Sequence, residues 1–139
     1  MKQYIGTKII QAEPMERGGR EGYRVVYEPD GYESWSPKEV FEEAYRQTDG
    51  MNFGLALEAA KKGKRIARAG WNGKSQYVFL AEVNDFHTMA DLSEFEDQDV
   101  EVGETMVMRT AQGGFQPGWL ASQSDMLADD WCILQDAEA

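Results

Sequence analysis

Two β-rich runs open the chain, Tyr4 to Ala12 and Gly22 to Tyr27, and the turn-prone Arg17-Gly-Gly-Arg-Glu-Gly22 between them predicts a hairpin. Pro29-Asp30-Gly31 predicts the next turn, since proline fixes φ and glycine accepts a positive one, and Tyr32–Trp35 follows as a short strand. Ser36-Pro37-Lys38-Glu39 then has the spacing of a capping box, with Ser36 as N-cap, proline at the first helical position and Glu39 at the third. Trp35 and Val40 stand where a hydrophobic staple would close. Beyond them the period lengthens to that of a helix, and up to Arg46 the residues Val40, Phe41, Ala44 and Tyr45 fall on one stripe.

Thr48-Asp49-Gly50 marks a boundary, because a second helix start follows at once. Asn52 is the expected N-cap, Phe53 to Lys62 the helix and Gly63 its left-handed stop. Leu55, Ala56 and Ala59 face inward at this spacing, while Lys61 and Lys62 suit the negative end of the helix dipole. Lys64–Ala69 reads as a strand with Ile66 and Arg68 on one side and Arg65 and Ala67 on the other; Gly70-Trp-Asn-Gly73 is a tight turn and Ser75–Glu82 a second strand. The centre of that strand, Tyr77-Val-Phe-Leu-Ala81, does not alternate, so both faces are expected to be covered, one by the helix and the other by another subunit. Residues 82–103 form an acidic, irregular excursion. Glu104–Thr110 is a third strand that turns at Gln112-Gly-Gly114, Pro117-Gly118 opens a loop, Ser122–Ala128 makes one or two helical turns, and Trp131–Leu134 is the last strand. The expected architecture is α+β: a small antiparallel sheet packed with short helices over residues 51–139, preceded by a small β-hairpin and helix over residues 1–50.

Composition narrows the partners. A chain of 139 residues with 42% hydrophobic side chains can build a packed core but has no room for two enzymatic domains. Its net charge of −11 repels a phosphate backbone and an anionic membrane surface alike, so neither nucleic acid nor membrane is expected as a partner. The charge is uneven: Lys61, Lys62, Lys64, Arg65, Arg68 and Lys74 form a cationic island without an acid, and residues 82–104 hold nine acids and no Lys or Arg. The plain reading of each run is a solvated face. The single cysteine, Cys132, excludes an internal disulfide and a cysteine-rich zinc site and fits a reducing cytoplasm.

Catalytic residue types are sparse. His87 lies in the acidic excursion and reads as a surface residue; no serine sits in a nucleophile elbow. Cys132 lies in the apolar Trp131-Cys-Ile-Leu134, and Asp129-Asp130, adjacent on a strand, point to opposite faces, so no metal or cofactor is expected. Binding chemistry is better represented. Trp71, in its Gly-x-x-Gly turn, is either a core anchor or a ring for a ligand to stack on, with the Arg68 guanidinium and the Asn72 amide beside it. A second cluster, Trp119-Leu-Ala-Ser122-Gln123-Ser124-Asp125, precedes a short helix. Ser122 or Asp125 can cap that helix, but four polar residues in a row exceed what a cap needs, and amides at a helix start favour an anion.

Asn52-Phe-Gly54 with Ala56-Leu57, then Arg68, Gly70-Trp-Asn-Gly73 and the long block Gly118-Trp-Leu-Ala-Ser-Gln-Ser-Asp-Met-Leu-Ala-Asp-Asp-Trp131 also resemble the second type of Thoeris anti-defence protein, a small phage-encoded family. The resemblance spans residues 51–134 and implies a signal sponge. Such a protein binds, without cleaving, the glycocyclic ADP-ribose that bacterial TIR-domain enzymes make on infection. The resemblance further implies capture of cyclic dinucleotides by some members, a homotetramer with pockets at subunit interfaces, and a place in the cytoplasm of the infected host. Carried over by residue, it puts Trp71 and Trp119 near the nucleotide, with Asn72, Ser122, Gln123 and Asp125 as polar contacts; Arg68 and Arg109 join them on charge and strand position alone. The first fifty residues stand outside this likeness and resemble a short segment of unassigned role in phage reading frames, through Pro29-Asp-Gly-Tyr32 and Ser34-Trp-Ser-Pro-Lys38. On this reading Trp71→Ala abolishes capture and leaves the fold intact. The rivals are a hydrolase of such signals and an acidic protein that blocks a host protein through its negative face.

Overall fold

The computed structural model describes residues 1–71, 75–82 and 103–135, and the chain divides into two compact units, Met1–Gln47 and Thr48–Ala139. Thr48 goes with the second unit because its carbonyl accepts the Ile133 N–H at 2.8 Å, while Met51 and Trp131 exchange backbone hydrogen bonds of 2.8 and 3.0 Å. No helix among the described residues is long and apolar enough to cross a membrane.

Unit 1 is an antiparallel sheet of β1 (Gln11–Pro14), β2 (Gly22–Tyr27) and β3 (Tyr32–Pro37), in that order, followed by α1 (Lys38–Ala44). The first strand is shorter than the expected Tyr4–Ala12. Gln11 pairs with Val26 and β2 ends one residue later, so the ladder cannot extend back to Tyr4; Tyr4 and Ile5 are exposed, and the Lys8 ammonium lies 4.4 Å from the centroid of the Tyr27 ring. The capping box at Ser36 does not form either. Ser36 and Pro37 stay in β3, the N-cap is Pro37 without a side-chain bond, and the Lys38 N–H donates to the Glu21 carbonyl at 3.2 Å. The hairpin backbone has taken over the work of a cap. Of the predicted stripe, Phe41 and Tyr45 are half-buried and Val40 and Ala44 exposed. Phe41 stacks between Tyr23 at 4.1 Å and Tyr45 at 4.9 Å, and Val25 is buried at the centre of β2.

The Trp35 ring packs against Gly22 and donates its indole N–H to the Met15 carbonyl at 2.8 Å. A Cβ on Gly22 would stand 2.4 Å from both the Ser36 carbonyl oxygen and the Trp35 ring.

Unit 2 begins with α2 (Phe53–Lys61), whose Asn52 cap accepts the Leu55 N–H at 2.9 Å and whose stop, Gly63, has φ of +86°. The sheet runs β7-β6-β5-β4-β8 with every neighbour antiparallel, from β4 (Ile66–Arg68), β5 (Tyr77–Ala81), β6 (Thr105–Arg109), β7 (Phe115–Pro117) and β8 (Trp131–Ile133). The architecture is α+β. Ile66, Val78 and Trp131 form one buried cluster with Met51 and the α2 residues Ala56, Ala59 and Ala60. Three alanines on one helix face let α2 come close to the sheet, and Trp131 fills the remaining volume. β5 carries buried residues on both faces, Val78 on one and Ala81 on the other.

β7 occupies what the sequence suggests is a loop between Gly114 and Gly118. As an edge strand it tolerates Pro117, which has no N–H to offer to a further neighbour. A one-turn helix, α3 (Gln123–Met126), precedes β8. Gly22→Ala is expected to destabilise unit 1 by about 1–3 kcal/mol, since the backbone oxygen on one side cannot yield. Urea unfolding followed by Trp35 fluorescence in a Trp71/Trp119/Trp131-to-Phe background measures it.

Candidate functional site

β4 ends on Arg68, and antiparallel pairing sets Arg68 opposite Trp131 of β8. The Arg68 Nε donates to Asp130 Oδ1 at 2.8 Å and its Nη1 to Asp125 Oδ1 at 2.9 Å. Asp125 is the buried charged side chain among the described residues. Its Oδ1 also accepts the Trp71 indole N–H at 3.1 Å, and its Oδ2 accepts the Ser122 N–H at 3.2 Å. The Asp130 Oδ2 accepts the Gly70 N–H at 2.7 Å, so close that a Cβ on Gly70 would stand 2.7 Å from the same oxygen. Glycine is required there by that approach and not by its φ.

Aromatic rings close around these charges. Trp131 is fully buried, with Phe53 at 5.3 Å, Trp71 at 5.4 Å and Trp119 at 6.2 Å between ring centroids, and the last two meet it edge-on. Edge-to-face contact is the geometry that ring quadrupoles favour. The Trp131 indole N–H donates to the Asp125 carbonyl at 2.8 Å. Trp71 and Trp119 are half-buried and in contact with each other at 6.2 Å.

The carboxylates are tuned by this arrangement. Burial pushes the Asp125 carboxyl up, but hydrogen bonds from Arg68, Trp71 and Ser122 outweigh it and hold it below its ordinary range. The Arg68 guanidinium holds Asp130 down too, with the Gly70 N–H assisting against burial. Arg68 itself is raised by its bonds to Asp130 and then Asp125. Arg68 stays cationic at any working pH, so its shift produces no transition near neutrality.

The expected site residues separate into three groups. Arg68, Trp71, Trp119, Ser122 and Asp125 come together. Ser122 and Asp125 make a reciprocal capping box, the Asp125 N–H returning to Ser122 Oγ at 3.1 Å. The amide expected to attract an anion is therefore taken by a side chain, and a carboxylate sits beside it. Gln123 and Ser124 lie exposed on α3. Arg109 is elsewhere: it pairs with Tyr77, on the sheet face opposite Ile66 and Arg68, donates to the Ser75 carbonyl at 2.9 Å and shares the Tyr77 ring with Arg65. Asn72 and His87 lie outside the described residues. The Cys132 thiol donates to the Ala67 carbonyl at 3.4 Å, and burial pushes its pKa up, as befits a strand residue. No group of three His, Cys, Asp or Glu side chains among the described residues could hold a metal ion.

Phe53, Asp130 and Trp131 belong to this cluster but are not among the expected site residues, Asp130 having been weighed only as a metal ligand. A signal for Asp130 was present: Arg68 on the core face of a strand demands an acid, and few acids lie near a strand end.

Fold and cluster define a small antiparallel α+β domain with a charged centre enclosed by aromatic rings. Residues 51–134 match the Tad2-like family, the Thoeris anti-defense 2-like domain, and the chain belongs to that family. It is 38% identical over 88 residues to the Thoeris anti-defense 2 protein of Bacillus phage SP01, a similarity covering 60% of this chain and 94% of that protein. The matched residues lie within unit 2 and contain the whole cluster.

Two expectations follow. Trp71→Ala, unlike the sequence-based reading, removes a ring packed on Trp131 and a hydrogen bond to a buried carboxylate, so it lowers stability as well as any binding. Asp125→Ala leaves Arg68 with one carboxylate and is expected to cost about 3 kcal/mol at pH 7 in urea unfolding. Because the folded pKa of Asp125 is depressed, its stabilisation is complete above about pH 4 and is lost as pH falls through the folded value. The gap between wild type and variant therefore narrows in acid.

Proposed function

We propose that this chain is a phage anti-defence protein that binds and sequesters glycocyclic ADP-ribose, the immune signal made by TIR-domain enzymes, without cleaving it. On the same reading it takes up cyclic dinucleotides, works in the cytoplasm of the infected host and assembles as a homotetramer with ligand held between copies. The observation that carries the proposal is the family match across residues 51–134, which takes in Trp71, Trp119 and the start of α3.

Physical features of the cluster support it. A sponge needs affinity and abundance, and no transition state has to be stabilised. Trp71 and Trp119 are half-buried rings of large area, suited to stacking on a base, and the exposed Gln123 and Ser124 offer neutral donors and acceptors at the adjoining helix. Asn72, next to Trp71 in sequence, extends that polar set. Arg68 and Asp125 serve as frame in this reading, because their charges are already matched to each other and to Asp130. Arg109, on the opposite sheet face, reaches such a site only from a neighbouring copy, which a tetramer allows.

Purified protein mixed with glycocyclic ADP-ribose and passed through a size-exclusion filter is expected to strip the ligand from the filtrate and to return it intact on heat denaturation. Recovery of linear or hydrolysed product would overturn sequestration and point to a phosphodiesterase or glycohydrolase. Gln123→Ala, an exposed position, is expected to weaken retention about tenfold without moving the unfolding midpoint. Undiminished retention by that variant counts against the α3 contact.

A further inference from the structure

Three N–H groups, two from the turn after β4 and one from the start of α3, converge on two carboxylates joined by one guanidinium. Following the bonds from one end, the Gly70 N–H meets Asp130 Oδ2, Asp130 Oδ1 meets Arg68 Nε, Arg68 Nη1 meets Asp125 Oδ1, and that oxygen meets the Trp71 indole. The path leaves the turn at Gly70 and re-enters it one residue later at Trp71. Backbone pairing supports it: the Ala69 N–H donates to the Asp130 carbonyl at 3.1 Å, and the Trp71 N–H to the Arg68 carbonyl at 3.3 Å. A second branch runs from Asp125 Oδ2 to the Ser122 N–H and so to the start of α3.

Asp130 occupies a particular place in this circuit. It contacts neither Trp71 nor Ser122 in any hydrogen bond, and its side chain is 35% exposed, against 13% for Asp125. Yet it fixes both the backbone amide before Trp71 and the guanidinium that holds Asp125. An unconstrained Arg68 has several rotamers and five donors; two carboxylates at right positions leave it one. With Arg68 fixed, the Asp125 carboxylate has a single orientation, and the Trp71 indole follows it.

We propose that Asp130 is a positioning residue of the ligand site. Through Arg68 and the Gly70 amide it sets the plane of the Trp71 ring and the register of that ring against α3, without touching the ligand. This rests on the sponge reading for the word ligand, though the geometry it describes does not. Sites of this kind need their contact groups held to within about half an ångström, and a charged hydrogen-bond circuit on strand ends supplies that more firmly than loop packing does.

The test uses the full chain and Asp130→Asn, which keeps shape and removes the charge. Tryptophan indole N–H resonances are followed by heteronuclear NMR well below the unfolding midpoint, and retention of glycocyclic ADP-ribose is measured in parallel. The expected result is a displaced Trp71 indole resonance, an unmoved Trp35 resonance, and retention weakened about tenfold. Gln123→Ala, which alters a contact and not the circuit, is expected to weaken retention while leaving the Trp71 resonance in place. An Asp130→Asn protein with wild-type indole resonances, or with displaced resonances but undiminished retention, overturns the proposal. If the wild-type protein retains no cyclic nucleotide, the sponge reading falls with the ligand half of this one, and the Trp71 resonance still decides whether Asp130 sets the ring. Should Asp130→Asn fail to fold, Asp130→Glu carries the same test, because it keeps the charge but moves the carboxylate by one methylene away from the Gly70 N–H and the Arg68 Nε, leaving the Arg68–Asp125 pair in place.

Discussion

A carboxylate out of water is the constraint that organises unit 2. Moving Asp125 inside costs several kcal/mol even after relaxation, and the cost is recovered only if each oxygen finds good donors. Three come from different places: a guanidinium from β4, an indole from the turn after it, and a backbone amide at the cap of α3. None of them is optional once the charge is buried. The consequence is that β4, the Trp71 turn, α3 and the strand end at Asp130 are fixed to one another by charge geometry and not merely by apolar contact. The apolar part joins the α2 alanines to Met51, Ile66, Val78 and Trp131, with Phe53, Trp71 and Trp119 packed against them, and Trp131 itself donates a hydrogen bond to the Asp125 carbonyl. The same residue thus anchors the electrostatics through its side chain and the aromatic packing through its backbone.

This double use explains what was legible in the sequence. α2 could be read closely because its determinants are local: Asn52 at the cap, Gly63 at the stop and alanines at helical spacing. β2 and β5 were legible for a related reason, since β-rich runs bounded by turn residues announce themselves. Elements whose limits depend on a partner were not. Tyr4–Ile10 has strand-like residues but lies before β1, beyond the reach of the β2 ladder, and Ser36 has the right spacing for a cap but is held in β3 by its pairing with Tyr23. Phe115–Pro117 has loop-like neighbours and is a strand because β6 offers an edge. In each case a tertiary partner overrode a local preference.

The candidate site shows the same division. Trp71, Arg68 and the Trp119–Asp125 block were each identifiable as unusual, and the structure brings them within one cluster. What the sequence could not convey was that two carboxylates already match Arg68, so that it reads as a phosphate contact until Asp125 and Asp130 are placed beside it. Arg109 lies apart from that cluster for a simpler reason. Strand residues alternate, and whether position 109 falls on the Arg68 face depends on registers across β4, β5 and β6 that no local pattern records.

Charge gives the last step. The net −11 of the chain argues against a polyanion, and the cluster, with one cation and two carboxylates, is itself no attractive place for phosphate. A small nucleotide faces a different balance. The half-buried rings Trp71 and Trp119 can engage a base by contact area and dispersion, terms insensitive to the sign of the field, while its phosphates need cations outside the Arg68 circuit. Lys61 ends α2 and Lys62, Lys64 and Arg65 follow it, and Arg109 lies across the sheet from Arg68. On the proposed reading the arrangement separates two tasks that a single arginine first suggested could be done together: a frame in which Arg68 is fully matched by carboxylates and holds the aromatic surfaces, and cations outside it that answer a ligand's charge. A frame with a surplus positive charge would bind phosphate more strongly in isolation, but it would leave Asp125 without its matched partners and the rings without a fixed plane. Rigidity of the rings and cationic strength compete for the same guanidinium, and in this fold rigidity has taken it.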